Sequence, residues 1–168
     1  MTVSIRAYRP TDHRACRSLW AELTESRREL YDEPTDNGPD PGAGFEDYLT
    51  RLNLSGMWVA EHHEDGVVGF AGLLLQPDRV GEVYPVVVTQ RHRGKGIGTS
   101  LLQHVAEEAR RRPLRQLMVM PDSRNIAAIK CLYGAGYDTL AAVRLTLDLT
   151  GTSKDAEEMD MHGLRFRY

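Results

Sequence analysis

Apolar and polar positions alternate at the start of the chain, where Val3, Ile5 and Ala7 predict a strand that ends at Pro10. Thr11 or Asp12 can cap a helix running toward Tyr31, with Leu19, Leu23 and Leu30 on its apolar side. Three prolines and three glycines between Asp32 and Gly44 predict an irregular loop, and Phe45, Tyr48, Leu49 and Leu52 then recur at helical spacing. Met57–Glu61 and Val67–Leu75 read as strands joined by an Asp65-Gly66 hairpin turn. Pro77-Asp78 marks another turn before a strand over Glu82–Thr89. Ile97, Leu101, Leu102, Val105 and Ala109 define the buried face of a long helix that stops at Pro113. Leu114–Met120 reads as a fifth strand, Asn125–Tyr133 as a helix and Leu140–Leu149 as a sixth strand. The acidic stretch Lys154–Asp160 is expected to be loose, and Leu164–Tyr168 to add an edge strand, in its own sheet or across a dimer.

Strands interleaved with helices imply an α/β sheet with both faces covered. One domain is expected over residues 1–150, with 151–168 as an acidic segment and edge strand, since 168 residues suit one core. The balance of 21 Lys and Arg against 24 Asp and Glu gives a net charge of −3, which argues against nucleic-acid or anionic-membrane partners. Cys16 and Cys131 are the only cysteines and form no C-x-x-C pair, so a reducing cytoplasm is expected. Met1–Pro10 lacks the apolar core of an export signal, and the nine-residue run Val67–Leu75 is too short to cross a bilayer.

The informative segment is Arg91-His92-Arg93-Gly94-Lys95-Gly96-Ile97-Gly98-Thr99, lying between a strand and a helix. Glycines there let consecutive N–H groups turn toward one point, and the first turn of the helix adds unpaired N–H groups and a positive dipole end. With Arg91, Arg93 and Lys95 beside them, these groups suit a phosphate or pyrophosphate. Two familiar phosphate motifs do not fit. A dinucleotide fingerprint needs a glycine where Thr99 stands, and a P-loop needs its lysine after the last glycine rather than at position 95. The pattern Arg/Gln-x-x-Gly-x-Gly/Ala fits twice, from Arg91 to Gly96 and from Arg93 to Gly98. The second register lets Ile97 and Leu101 begin the buried face.

In this pattern, in the preceding strand Val86-Val87-Val88 with Pro85, and in the downstream set Asn125, Ala128, Tyr133, Gly136 and Tyr137, the chain resembles the GNAT superfamily of N-acetyltransferases. The resemblance covers about 80 residues, from Val67 to Leu149. It implies a mixed, largely antiparallel sheet flanked by about four helices. Pro85 cannot donate a ladder hydrogen bond, so the strand is expected to part from a neighbour nearby. In the family that splay admits the pantetheine arm of acetyl-CoA. The resemblance further implies acetyl-CoA as cosubstrate, no metal, and acetyl transfer to the primary amine of a small molecule, peptide or protein. Backbone N–H groups at Val86, Val87 and Val88 would polarise the thioester. Arg93, Gly94, Lys95, Gly96, Ile97, Gly98 and Thr99 would hold the pyrophosphate. Tyr133 would protonate the departing sulfur, and Asn125 would hold the cofactor arm or a water in the wedge, or else cap its helix.

The remaining assignments come from the residues themselves. Strand alternation places Glu82, Tyr84 and Val86 on one side until any bulge intervenes. Glu82, on the strand whose backbone the resemblance gives to the thioester, is the candidate base, with a water chain as the alternative, and Tyr84 is a candidate to hydrogen-bond the amine or line the acceptor pocket. Asp32, Glu33, Asp36, Asp40, Glu46 and Asp47 form an acidic stretch without Lys or Arg, which either attracts a cationic acceptor or is simply solvated. His62 and His63 point apart in an extended chain, which disfavours a metal shared between them; His92 is expected to meet phosphate or solvent. Cys131 reads as a packed residue rather than a nucleophile. Two other readings stay open: a non-catalytic acyl-CoA-binding sensor on the same fold, which needs neither Glu82 nor Tyr133, and a nucleotide-binding α/β protein.

Overall fold

The structure, a computed structural model, describes residues 3–31, 39–147, 149 and 157–168. Five strands form one sheet in the order β1 (Val3–Ala7), β2 (Leu54–His62), β3 (Gly66–Gln76), β4 (Val80–Val88) and β5 (Gln116–Met118). Every neighbouring pair is antiparallel except β4 with β5. The β2–β3 hairpin turns at Gly66, whose φ of 70° is the left-handed value that the Asp65-Gly66 pair supplies. Helices α1 (His13–Tyr31) and α2 (Gly44–Leu49) cover one face, where Cys16, Leu19, Phe45 and Tyr48 pack on Val59, Phe70, Leu74 and Val87. Helix α3 (Ile97–Arg110) covers the other face, and α4 (Ile126–Gly134) packs beside it. All five residues read as the apolar stripe of α3, from Ile97 to Ala109, are buried. Among the described residues this is the mixed, largely antiparallel sheet flanked by four helices that the resemblance implies.

The parting of strands has two components. On one side, β4 meets β5 only where Val80, Gly81 and Glu82 face Gln116, Leu117 and Met118. Beyond Glu82 the two strands separate. On the other side, Ala71 pairs with Val86 while Leu73 pairs with Val83, so Tyr84 and Pro85 bulge out opposite Gly72 alone. That bulge corrects the simple alternation. Tyr84 packs with the α1–α2 face, whereas Val86 and Val88 join Val83 against α3. Val86 therefore does not share a side with Glu82 and Tyr84.

The C-terminal region also departs from expectation. Residues 138–147 form neither helix nor strand, and Leu140, Val143, Leu145 and Leu147 are exposed; residue 148 lies outside the described residues. Alternation makes this segment fit to be a strand, but a strand forms only where a sheet edge supplies its hydrogen bonds, and periodicity carries no information on that. Leu164–Arg167 does form a strand, β7, paired with β6 (Glu158–Met161) as a separate antiparallel hairpin rather than at the edge of the main sheet. Glu158–Asp160 of the acidic stretch therefore belong to a strand; its residues 154–156 lie outside the described ones.

Candidate active site

The glycine segment closes the end of β4 and opens α3. Gly94 and Gly96 have φ of 73° and 80°, which would strain any residue with a Cβ, and Gly96 is the N-cap of α3. The first helical bond runs from the Ser100 N–H to the Gly96 carbonyl. The N–H groups of Gly96, Ile97, Gly98 and Thr99 bond to no carbonyl or side chain among the described residues. They make a cradle of donors able to hold an anion at the positive end of a 14-residue helix. A Cβ on Gly94 or Gly96 would meet nothing within 4 Å, so the approach to these amides is open.

The cations divide. Lys95 is exposed and makes no ion pair among the described residues. Arg93 instead donates from Nε to the Val88 carbonyl oxygen at 3.0 Å and reaches Ser26 Oγ at 3.4 Å. It ties the cradle to the end of β4 and to α1, a positioning role that sequence reasoning missed. Gly98 lies against α4, where a Cβ would come within 3.3 Å of Cys131 Sγ, and the Thr99 hydroxyl lies 3.6 Å from the same sulfur. Ile97 is buried in the core. For these last three residues, only backbone atoms contribute to the cradle.

Helix α4 brings the second constellation beside the first. Asn125 is its N-cap, its side-chain oxygen accepting the Ala128 N–H at 3.0 Å. Capping occupies the oxygen, while the side-chain nitrogen has no partner among the described residues. Tyr133 is 70% exposed, and its hydroxyl likewise has no partner there. Tyr137 is the opposite case. Its hydroxyl is buried with no partner among the described residues, and burial pushes its phenol pKa up.

Glu82 occupies the last rung before β4 and β5 part, and its carboxylate accepts a 2.6 Å hydrogen bond from Gln76 Nε2. Tyr84, two residues on, borders an aromatic wall. Its ring meets Trp20 edge-on at 6.1 Å and Tyr48 at 6.2 Å, and the Arg51 guanidinium lies 5.8 Å from the ring centre. Of the acidic stretch, Asp40 and Glu46 both pair with Arg17, and Glu46 also with His13. Asp47 is exposed, while Asp32, Glu33 and Asp36 lie outside the described residues. His92 corrects its expectation. It is buried and meets Asp65, not phosphate or solvent.

Comparison with known proteins agrees with this geometry. The profile of the acetyltransferase (GNAT) family matches residues 15–137, well over half of the chain, and the protein belongs to that family. A mycothiol acetyltransferase from Saccharopolyspora erythraea is 33% identical over 98 residues; the match covers 55% of this chain and 32% of the relative, so the chain spans about a third of that protein. Among solved structures, a ribosomal-protein-alanine N-acetyltransferase from Brucella melitensis biovar Abortus 2308 superposes with a TM-score of 0.67 at 21% identity. That match covers 88% of this chain and 99% of the other. AAC(6')-Iy, solved with the bisubstrate analogue CoA-S-monomethyl-acetylneamine, gives 0.64 at 17% identity over the same shares. At these identities the structural likeness establishes the fold. Among the described residues, no helix is long and apolar enough to cross a membrane.

Proposed function

We propose that this protein transfers the acetyl group of acetyl-CoA directly to a primary amine within a ternary complex. The observation that carries the reading is the pairing of an open amide cradle at Gly96–Thr99 with a fork between β4 and β5 that begins at Glu82. The cradle suits the pyrophosphate, and the free side of β4 beyond Glu82 suits an extended, amide-bearing arm laid along it as a further strand. Val86, Val87 and Val88 supply the backbone at that edge, and an N–H there would stabilise the oxyanion as the amine nitrogen attacks the thioester carbon. Tyr133 gives its proton to sulfur as the carbon–sulfur bond breaks, and Glu82, directly or through a water chain, takes the proton that the amine must lose. Asn125 would turn its free amide nitrogen to the arm or to a wedge water while its oxygen caps α4.

The acceptor side is the wall of Trp20, Tyr48 and Tyr84, with Arg51 at its margin. Similarity to a ribosomal-protein-alanine N-acetyltransferase and to AAC(6')-Iy, solved with CoA-S-monomethyl-acetylneamine, supports an amine-bearing small molecule, peptide or protein as acceptor. Neither nucleic acid nor membrane is part of the reading. The two free thiols suit a reducing cytoplasm. A homodimer belongs to the same proposal, supported by the exposed row Val143, Leu145 and Leu147 and tested by sedimentation. Turnover is tested by offering a panel of amines with acetyl-CoA and following free thiol and product mass together. Thiol release with an amine product 42 Da heavier, on the order of one acetyl group, supports the reading. CoA binding without turnover on any amine leaves a sensor on the same fold.

A further inference from the structure

The structure assigns to His62, Asp65 and His92 a second site, for a divalent ion of the zinc class. His62 ends β2, Asp65 lies in the β2–β3 turn, and His92 ends the short 3-10 turn (Gln90–His92) that leads into the cradle. One ligand atom from each lies within 4.8 Å of the other two. Asp65 Oδ2 is 2.9 Å from His92 Nε2 and 3.5 Å from His62 Nδ1. A tetrahedral ion bonded at 2.0–2.1 Å sets its ligand atoms about 3.3 Å apart, so small side-chain shifts suffice. Two imidazoles with one carboxylate suit zinc or cobalt, and not the all-oxygen preference of calcium or magnesium.

The surroundings favour occupancy on three counts. Both imidazoles are buried and their ring centres stand 5.0 Å apart, so little ordering is left to the ion. His62 Nδ1 receives only long contacts, 3.3 Å from the Glu64 N–H and 3.4 Å from the Asp65 N–H, in a turn where water can replace it. Asp65 and His92 also line a cavity of about 170 Å³ with Ser18, Glu22, Thr89 and Arg91, which leaves room for water as the remaining ligand. One feature limits affinity. His92 Nδ1 is buried with no partner among the described residues, so an ion on Nε2 leaves the ring proton with no acceptor there. A missing outer partner of this kind weakens metal binding about 10–100-fold. Bound there, the ion joins the hairpin turn to the residue immediately before Arg93 and stiffens the approach to the cradle.

The test is a titration of the full, tag-free, chelator-stripped chain with cobalt(II), read by visible absorption, followed by displacement with zinc. We expect one equivalent to bind the wild-type protein and His63→Gln, and binding at least tenfold weaker in His62→Gln and Asp65→Asn. Thermal melts establish that each variant is folded. Asp65 is exposed, so Asp65→Asn keeps the test alive if loss of a buried histidine disrupts folding. Failure to reach one saturable equivalent in millimolar cobalt, or unweakened binding by folded Asp65→Asn, overturns the assignment.

Discussion

The Tyr48 hydroxyl donates a 2.9 Å hydrogen bond to the Tyr84 carbonyl oxygen, reaching from α2 to the bulge of β4. Gly72 makes this possible. A Cβ there would lie 1.6 Å from the Tyr48 oxygen and 2.7 Å from the Tyr84 oxygen. The bond fixes the point at which β4 reverses its faces, with Tyr84 turned toward the aromatic wall and Val86 toward α3. Two substitutions separate its parts. Tyr48→Phe removes one hydrogen bond and should cost about 1 kcal/mol. Gly72→Ala forces the ring and the strand apart and should cost about 3 kcal/mol, near the top of the overpacking range. Urea denaturation of both variants measures the difference, and an equal loss would mean the bulge tolerates displacement of Tyr48.

Gly96→Val should leave the fold intact and weaken CoA binding at least tenfold. A residue with a Cβ at φ of 80° costs about 1–2 kcal/mol, yet the space around it is open, so the core is untouched. The lost affinity comes from a disturbed loop and a branched side chain before the amides of Ile97 and Gly98. Calorimetric titration with CoA reads it. Affinity equal to wild type would place the pyrophosphate elsewhere.

Tyr133→Phe should lower kcat by about 100-fold on a verified amine while leaving CoA affinity and melting temperature unchanged. The phenol is exposed and has no partner among the described residues, so removing its oxygen breaks no contact within the fold. Any loss is therefore chemical. Unchanged turnover would assign the proton on sulfur to another donor, with solvent the first alternative.

Glu82→Gln should depress the rate near neutral pH and change the pH profile, because an amide cannot accept the amine's proton. The side chain stays close in shape, and Gln76 Nε2 can still donate to the remaining oxygen. An unaltered profile would transfer the role of base to a water chain.

The sequence made local features legible and left non-local ones hidden. The face of α3 follows from 3.6-residue periodicity, so Ile97 through Ala109 could be read one by one, and Pro85 announced a disturbance in β4. Its form could not be read. Whether two residues of β4 oppose one of β3 depends on Gly72 and Tyr48, 12 and 36 positions before Tyr84, and this is what turns Val86 away from Glu82. Arg93 reads as a phosphate ligand from its charge and place in the motif, but composition does not show its partner in the fold, the Val88 carbonyl. Asp65 and His92 stand 27 residues apart and meet only because the hairpin and the cradle approach share one end of the sheet. The Leu140–Leu149 expectation failed for the same reason: alternation describes a surface, and pairing needs an edge.

Asp12 supplies a pH-dependent link between β1 and α1. The residue is 5% exposed, and its carboxylate accepts hydrogen bonds from both terminal nitrogens of Arg6, at 2.8 and 2.9 Å, and from the Arg9 N–H at 2.8 Å. The Arg6 hydrogen bonds hold its pKa below the ordinary carboxylate value against the opposing effect of burial. A group depressed in the folded state stabilises the protein fully above its unfolded pKa of about 3.9 and loses that contribution as pH falls through this value toward the lower folded one. Denaturation midpoints should therefore drop below about pH 4 more steeply in wild type than in Asp12→Asn. At neutral pH Asp12→Ala should cost about 3 kcal/mol, the low end for breaking a buried pair, because Glu61 continues to hold Arg6 at 2.8 Å. Parallel acid limbs for wild type and Asp12→Asn would show that other carboxylates set the acid sensitivity.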